Sequence, residues 1–211
     1  MGMTESEQFQ IPRRGIILVV CGPAGSGKTT LCDQMLDRFP GLRRVVTATT
    51  REPRPGEAHG VDYHFMSEAA FMGKVESGGF LEHARVHGRL YGTLKSEVRR
   101  HLEAECDVLL NIDVQGAASF RRQASSDPLL AGRLATVFIQ PESLDMLRER
   151  LEHRKSDSAE EISRRMETAR EELKSARLHD YILPTQSREH DFQVMASIYT
   201  AEKHRVAKVT P

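Results

Sequence analysis

Apolar positions along this chain switch repeatedly between short continuous runs and helical stripes. Ile16 to Val20 form an unbroken apolar run, which suits a strand buried on both faces. Leu31, Met35 and Phe39 then mark the inner face of a helix that opens at Lys28. The pattern predicts strands at Ile16 to Cys21, Arg44 to Thr47, Val108 to Ile112, Ala135 to Ile139 and Tyr181 to Leu183. It predicts helices at Lys28 to Phe39, Gln115 to Gln123, Ser143 to His153, Ala159 to about Arg177 and about Asp191 to Arg205. Leu144, Leu147 and Leu151 stripe the third helix, and Ser158 with Glu161 forms a capping box at the start of the fourth. Strands alternating with helices define an α/β fold with a parallel sheet flanked by helices.

Two stretches interrupt the alternation. From Arg51 to about Gly92 the chain is rich in Gly and Pro, with β-like pieces at Val61 to Phe65 and Phe80 to Val86 and a helix near Ser67 to Val75. This predicts a small, mostly β insertion over about residues 48–93. From Arg150 to Arg165, arginines at 150, 154, 164 and 165 flank the polar run Lys155-Ser156-Asp157-Ser158, which reads as a helical, arginine-bearing lid.

A length of 211 residues accommodates one such domain with mobile lobes, assigned to residues 15–205 behind a disordered tail at 1–14. The 30 basic and 30 acidic residues cancel, so no overall field draws the chain to nucleic acid or an acidic membrane, and anions must be bound by local placement. Cys21, Cys32 and Cys106 lack metal-type spacing and read as free thiols in a reducing, cytoplasmic compartment. No apolar run approaches a membrane span. Met1-Gly2-Met3-Thr4-Glu5-Ser6 fits a myristoylation pattern but lacks the second signal that stable anchoring needs. The histidines scatter without ligand spacing, so His59, His64, His83 and His87 read as surface residues.

Gly22-Pro23-Ala24-Gly25-Ser26-Gly27-Lys28-Thr29 satisfies G-x-x-x-x-G-K-[ST], the pattern of a loop whose backbone amides cradle phosphates. It lies between predicted strand and predicted helix, where the helix N-terminus favours a polyphosphate. Downstream, Thr49-Thr50-Arg51-Glu52-Pro53-Arg54-Pro55-Gly56-Glu57 holds two guanidinium groups three residues apart on a segment stiffened by Pro53 and Pro55, which suits a phosphate monoester. Tyr63 and Tyr91 can add neutral hydroxyl donors there, although each alone is more often an interface or core aromatic with a satisfied hydroxyl. Beside a phosphate loop, the arginines of the lid suit phosphoryl transfer, which needs cations around the equatorial oxygens in a site that excludes water.

These features together resemble guanylate kinase, a nucleoside monophosphate kinase family, from Gly15 to about Arg205. The resemblance is carried by the phosphate loop, Thr49-Thr50-Arg51 with Pro53-Arg54 and Gly56-Glu57, and Gly60-Val61-Asp62-Tyr63-His64-Phe65. It continues through Phe80-Leu81-Glu82, Tyr91-Gly92-Thr93, Ile112-Asp113-Val114-Gln115-Gly116, and Arg150-Leu151 through Arg154 to Asp157-Ser158. It implies a P-loop core that holds ATP at Gly22 to Thr29 and Thr30, a GMP-binding insertion and a lid. Carried over by position, Arg51, Arg54, Tyr63 and Tyr91 would hold the phosphate of GMP, and Thr47, Glu82, Thr93 and Asp113 would read guanine. Ionised Glu82 and Asp113 suit the guanine edge, whose N1 and N2 donate, and oppose adenine, whose N1 accepts. As isolated residues, both read equally well as surface or capping carboxylates.

No general base is required, because the attacking phosphate oxygen is already ionised at neutral pH, with a second pKa near ~6. Lys28 and a Mg2+ near Thr29 would neutralise the β- and γ-phosphates, and Arg51, Arg150, Arg154 and Arg165 would stabilise the transferring group.

Three positions depart from the family pattern. Pro184-Thr185-Gln186 stands where Asn-Asp-Asp commonly helps hold adenine, Asn111 where an acidic residue is common, and Lys155 where a lid glycine is typical. Asp113-Val114-Gln115-Gly116 also fits the D-x-x-G element of GTPases, but no N-K-x-D element accompanies it, and a GTPase has no use for the Arg51 and Arg54 pair. Two alternatives stay open: an inactive protein-binding module of the same fold, and a kinase for another phosphorylated acceptor. Oligomeric state is not indicated.

Overall fold

The computed structural model describes residues 15–86, 88–153 and 158–205. Five parallel strands form the central sheet: β1 (Ile17–Cys21), β2 (Leu42–Arg44), β7 (Asp107–Asn111), β8 (Leu134–Gln140) and β9 (Tyr181–Pro184), in the order β2-β7-β1-β8-β9. In the middle, Ile17 pairs with Val108 on one side and Leu134 on the other. Every residue of β1 is buried, as its continuous apolar run requires, because helices cover both faces. Ile17, Val19 and Cys21 pack with Val98 and Leu102 of α3 (Lys95–Glu103) and Phe120 of α4 (Val114–Ser126). Leu18 and Val20 face Met35 of α1 (Lys28–Arg38) and Met195 and Ile198 of α7 (Arg188–His204).

The insertion is a second sheet with one helix. Its strands β3 (Ala48–Thr49), β4 (His64–Phe65), β5 (Phe80–Val86) and β6 (Arg89–Leu94) run in the order β4-β3-β6-β5. Helix α2 (Glu68–Glu76), capped by Ser67, buries Phe71 against Phe80 with ring centroids 4.4 Å apart. Gly92 of β6 has no room for a side chain, since a Cβ there would lie 2.8 Å from Phe80 Cδ1 and 2.9 Å from the Glu82 carbonyl oxygen. The α5 (Leu144–His153) and α6 (Ala159–Lys174) hairpin joins through Leu147, Leu151, Met166 and Ala169, with Ala24 packed against it. Ser158 caps α6 by accepting from the Glu161 amide.

Several expectations need correction. The second strand, expected at Arg44 to Thr47, is two strands in different sheets: β2 ends at Arg44 and β3 begins at Ala48, so Thr47 lies in neither. Val45 still bonds the core sheet through Leu109 O, and the chain then crosses to the insertion. The expected β piece at Val61 to Phe65 contracts to β4, with Val61 exposed. Strand β6 and helix α3 were not expected; α3 buries only Val98 and Leu102, a stripe too narrow to stand out in a charged stretch. The helix expected to reach Arg177 ends at Lys174 and is followed by a single turn at Ala176–Leu178. The final helix begins at Arg188 behind a Ser187 cap. Residues 1–14, His87, Arg154 and Lys155 lie outside the described residues. Among the described residues, no helix is long and apolar enough to cross a membrane.

One buried charge ties α7 to the sheet. Asp107 accepts from the Ile16 amide (3.0 Å), the Tyr199 hydroxyl (2.6 Å) and Lys203 Nζ (2.8 Å). Asp107→Ala leaves two of these donors buried without an acceptor and is expected to lower stability by about 3 kcal/mol in urea unfolding, against about 1 kcal/mol for Tyr199→Phe.

Candidate active site

The chain leaves β1 through Gly22, whose φ of 137° and close approach to β8 exclude a side chain: a Cβ there would lie 2.5 Å from Ile139 O. Gly27, at φ 93°, heads α1, and no side chain caps that helix or places an acid in its first turn. Its amide donors and the positive end of its dipole therefore face the loop uncompensated. Lys28, the first residue of α1, folds Nζ back onto Gly22 O (2.7 Å) and Pro23 O (2.8 Å). Burial pulls the Lys28 pKa down, while Glu172 is foremost among the groups favouring its charged form. Thr29 and Thr30 are exposed, and Thr29 Oγ1 accepts from Asn111 Nδ2 at 3.3 Å. From α5, Arg150 donates to Gly25 O (3.2 Å), so this arginine meets the loop backbone directly.

Glu57 organises the arginine pair. One carboxylate oxygen accepts from Arg51 (2.8 Å) and the other from the Arg54 amide (2.8 Å). These bonds, the Arg51 guanidinium first, hold Glu57 below the usual carboxylate range. Arg51 also donates to Glu52 O and stacks 5.4 Å from the Tyr63 ring centroid, while Arg54 is exposed. Tyr63 and Tyr91 meet edge to face with centroids 6.1 Å apart.

Two carboxylates converge where α4 lies against β5. Thr93 Oγ1 donates to Glu82 Oε1 at 2.6 Å, and Asp113 caps α4 by accepting from the Gly116 amide at 2.7 Å. Gly116 permits the approach, because a Cβ there would lie 2.8 Å from Glu82 Oε2. Burial pushes Glu82 up to about 7; the Thr93 bond opposes the shift and the nearby Asp113 charge adds to it.

A cavity of about 660 Å³ gathers most of these groups. Gly22, Ala24, Lys28 and Thr29 line it from the loop, Thr47, Tyr63, Glu82 and Tyr91 from the insertion, Asp113 from α4 and Arg165 from α6. Thr93 stands behind Glu82, buried, and Arg51 and Arg54 lie beside Tyr63 and Glu57 rather than on the cavity wall. Pro23, Gly25, Ser26, Gly27, Thr30 and Arg150 belong to the loop and its support. Sequence reasoning missed Glu57 as the organiser of the pair, and it missed Glu172, which lines the cavity from α6. The available signal for Glu172 was helical spacing, since Arg165, Thr168 and Glu172 share one face. The cavity thus offers cationic groups and backbone donors suited to phosphates, and buried acceptors suited to a base that donates.

The guanylate kinase family model matches residues 14–202. A guanylate kinase of Syntrophotalea carbinolica is 39% identical over 197 residues, covering 93% of this chain and 90% of its own. One of Ruegeria pomeroyi is 42% identical over 193 residues, covering 92% and 88%. A crystal structure of guanylate kinase from Anaplasma phagocytophilum superposes with a TM-score of 0.75 at 26% identity, covering 93% of this chain and 90% of that one. A phosphate-loop strand and helix, an arginine-bearing β insertion and a buried carboxylate pair are thus joined to matches over nearly the whole chain, and the chain belongs to the guanylate kinase family.

Proposed function

We propose that this chain transfers the γ-phosphoryl group of ATP to GMP, giving ADP and GDP. The observation that carries the reading is that one cavity is lined both by Lys28 of the phosphate loop and by the Glu82 and Asp113 carboxylates. The loop from Gly22 to Thr29, with Thr30, holds the donor phosphates on backbone amides and the helix N-terminus. Arg51, Arg54, Tyr63 and Tyr91 take the phosphate of GMP. Glu82, supported by Thr93, and Asp113, with Thr47 at the cavity edge, accept from guanine N1 and N2; adenine would set its N1 acceptor against them.

A Mg2+ would be held through the nucleotide, with the exposed Thr29 hydroxyl facing it. When bound, that ion would neutralise charge on the donor phosphates. Lys28 leaves its loop carbonyls for the β- and γ-phosphates, and Arg150, Arg154 and Arg165 surround the transferring group as the lid and insertion close over both nucleotides and exclude water. The GMP phosphate attacks as an anion, so no side chain has to remove a proton. Cys21, Cys32 and Cys106 are free thiols, which suits a reducing, cytoplasmic setting.

ADP formation from MgATP, followed with GMP, dGMP, AMP, UMP or no acceptor, tests the reading: turnover is expected with the guanine nucleotides, and turnover only with another acceptor, or none, contradicts it. Lys28→Ala is expected to lower kcat by a factor on the order of 10³, a loss typical of removing a charge-stabilising donor, with the circular dichroism spectrum unchanged.

The Glu82 carboxyl, held at about 7, must lose its proton to accept from both guanine donors. The KM for GMP is therefore expected to rise as pH falls below 7, by up to about tenfold per unit. Glu82→Gln is expected to raise KM at pH 8 and flatten that dependence.

A further inference from the structure

Across the cavity from the phosphate loop stands a carboxylate that the reaction above does not use. Glu172 projects from the last turns of α6 into the cavity wall, on the same helix face as Arg165 and Thr168. Among the described residues its carboxylate makes no hydrogen bond or ion pair within 4 Å, unlike Glu57, which is held by an arginine, and Glu82, held by Thr93. The groups acting on it are Lys28 on α1 and Asp113 at the start of α4; Cys21 at the end of β1 also feels its charge. Arg165, its neighbour on α6, donates to Glu161. Glu82 reaches the same cavity from β5 and is coupled to Asp113.

Glu172 and Lys28 line the same cavity, and while no phosphate is present the Lys28 charge favours an ionised Glu172 without an ion pair between them. A polyphosphate arriving at the loop takes over the lysine, and it puts several negative charges into the cavity that Glu172 lines. An ionised Glu172 then faces like charge in a partly buried cavity. Taking up a proton relieves that penalty. We propose that Glu172 is a proton acceptor on the cavity wall, ionised in the empty cavity that it shares with Lys28 and taking up a proton when the donor nucleotide binds. The proposal rests on the placement of ATP at the loop.

The group is poised for this exchange. Burial raises Glu172 to about 7, with the Lys28 charge opposing the rise and Asp113 adding to it. The sign follows by linkage: above pH 7 the free protein holds Glu172 ionised, so binding must draw a proton from solution and weakens as pH rises.

Calorimetric titration of the protein with MgATP, without acceptor, at pH 8 in buffers of different ionisation enthalpy counts that proton. Net uptake is expected for the unaltered protein, with affinity falling by up to about tenfold per unit between pH 7 and 9. Glu172→Gln carries no titratable group there; it is expected to bind at pH 8 at least as tightly as the unaltered protein at pH 7, without the slope. Titration of Lys28 itself would produce the same slope but would survive in Glu172→Gln, so a retained slope overturns the proposal. MgATP binding without proton uptake by the unaltered protein overturns it whether or not the variant folds. Failure to bind MgATP at all overturns the placement of ATP at the loop, and this proposal with it.

Discussion

The site depends on how closely β1 and β8 approach at their carboxyl ends. Gly22 sits so near the Ile139 carbonyl that any side chain would collide with it, and from that point the chain turns through left-handed glycines into α1. The turn leaves a helix N-terminus without a capping side chain or a nearby acid, its positive end directed at the cavity. The rest of the core serves to hold that junction. Two buried faces of the sheet fix β1 between β7 and β8, Asp107 ties α7 to the same sheet, and Arg150 braces the loop from α5.

Around this cationic junction the protein keeps its carboxylates partly uncommitted. Glu82 and Glu172 are both raised to about 7 by burial, so a change in their surroundings decides whether each carries a charge. In the proposed reading each has a different relation to substrate: Glu82 would gain donors when guanine arrives, whereas Glu172 would meet like charge when phosphate arrives. On that reading one binding event would release a proton and the other take one up, so that two nucleotides could occupy one cavity without accumulating charge on its walls.

Much of this was readable before any coordinates, though unevenly. The phosphate loop was legible because its constraint is local, fixed by glycine conformations and one lysine within a strand-turn-helix. That Glu82 and Asp113 share one cavity was legible only through the motifs around them, since each alone reads as an ordinary surface or capping carboxylate, and Asp113 does cap α4. The second strand was misjudged because the decision to leave the core sheet at Arg44 and enter the insertion at Ala48 is made by tertiary pairing rather than by apolar pattern. Helix α3 hid because Val98 and Leu102 are its only buried side chains. Glu172 needed the fold itself: its helical spacing with Arg165 and Thr168 becomes informative only once α6 lines the cavity that Lys28 also lines.

The central claim is that this cavity joins two nucleotides and passes a phosphoryl group between them. Phosphorus NMR of the protein with MgATP and GMP tests it directly. The account predicts that ADP and GDP appear together in equal amounts, without inorganic phosphate; release of inorganic phosphate in place of GDP would contradict it.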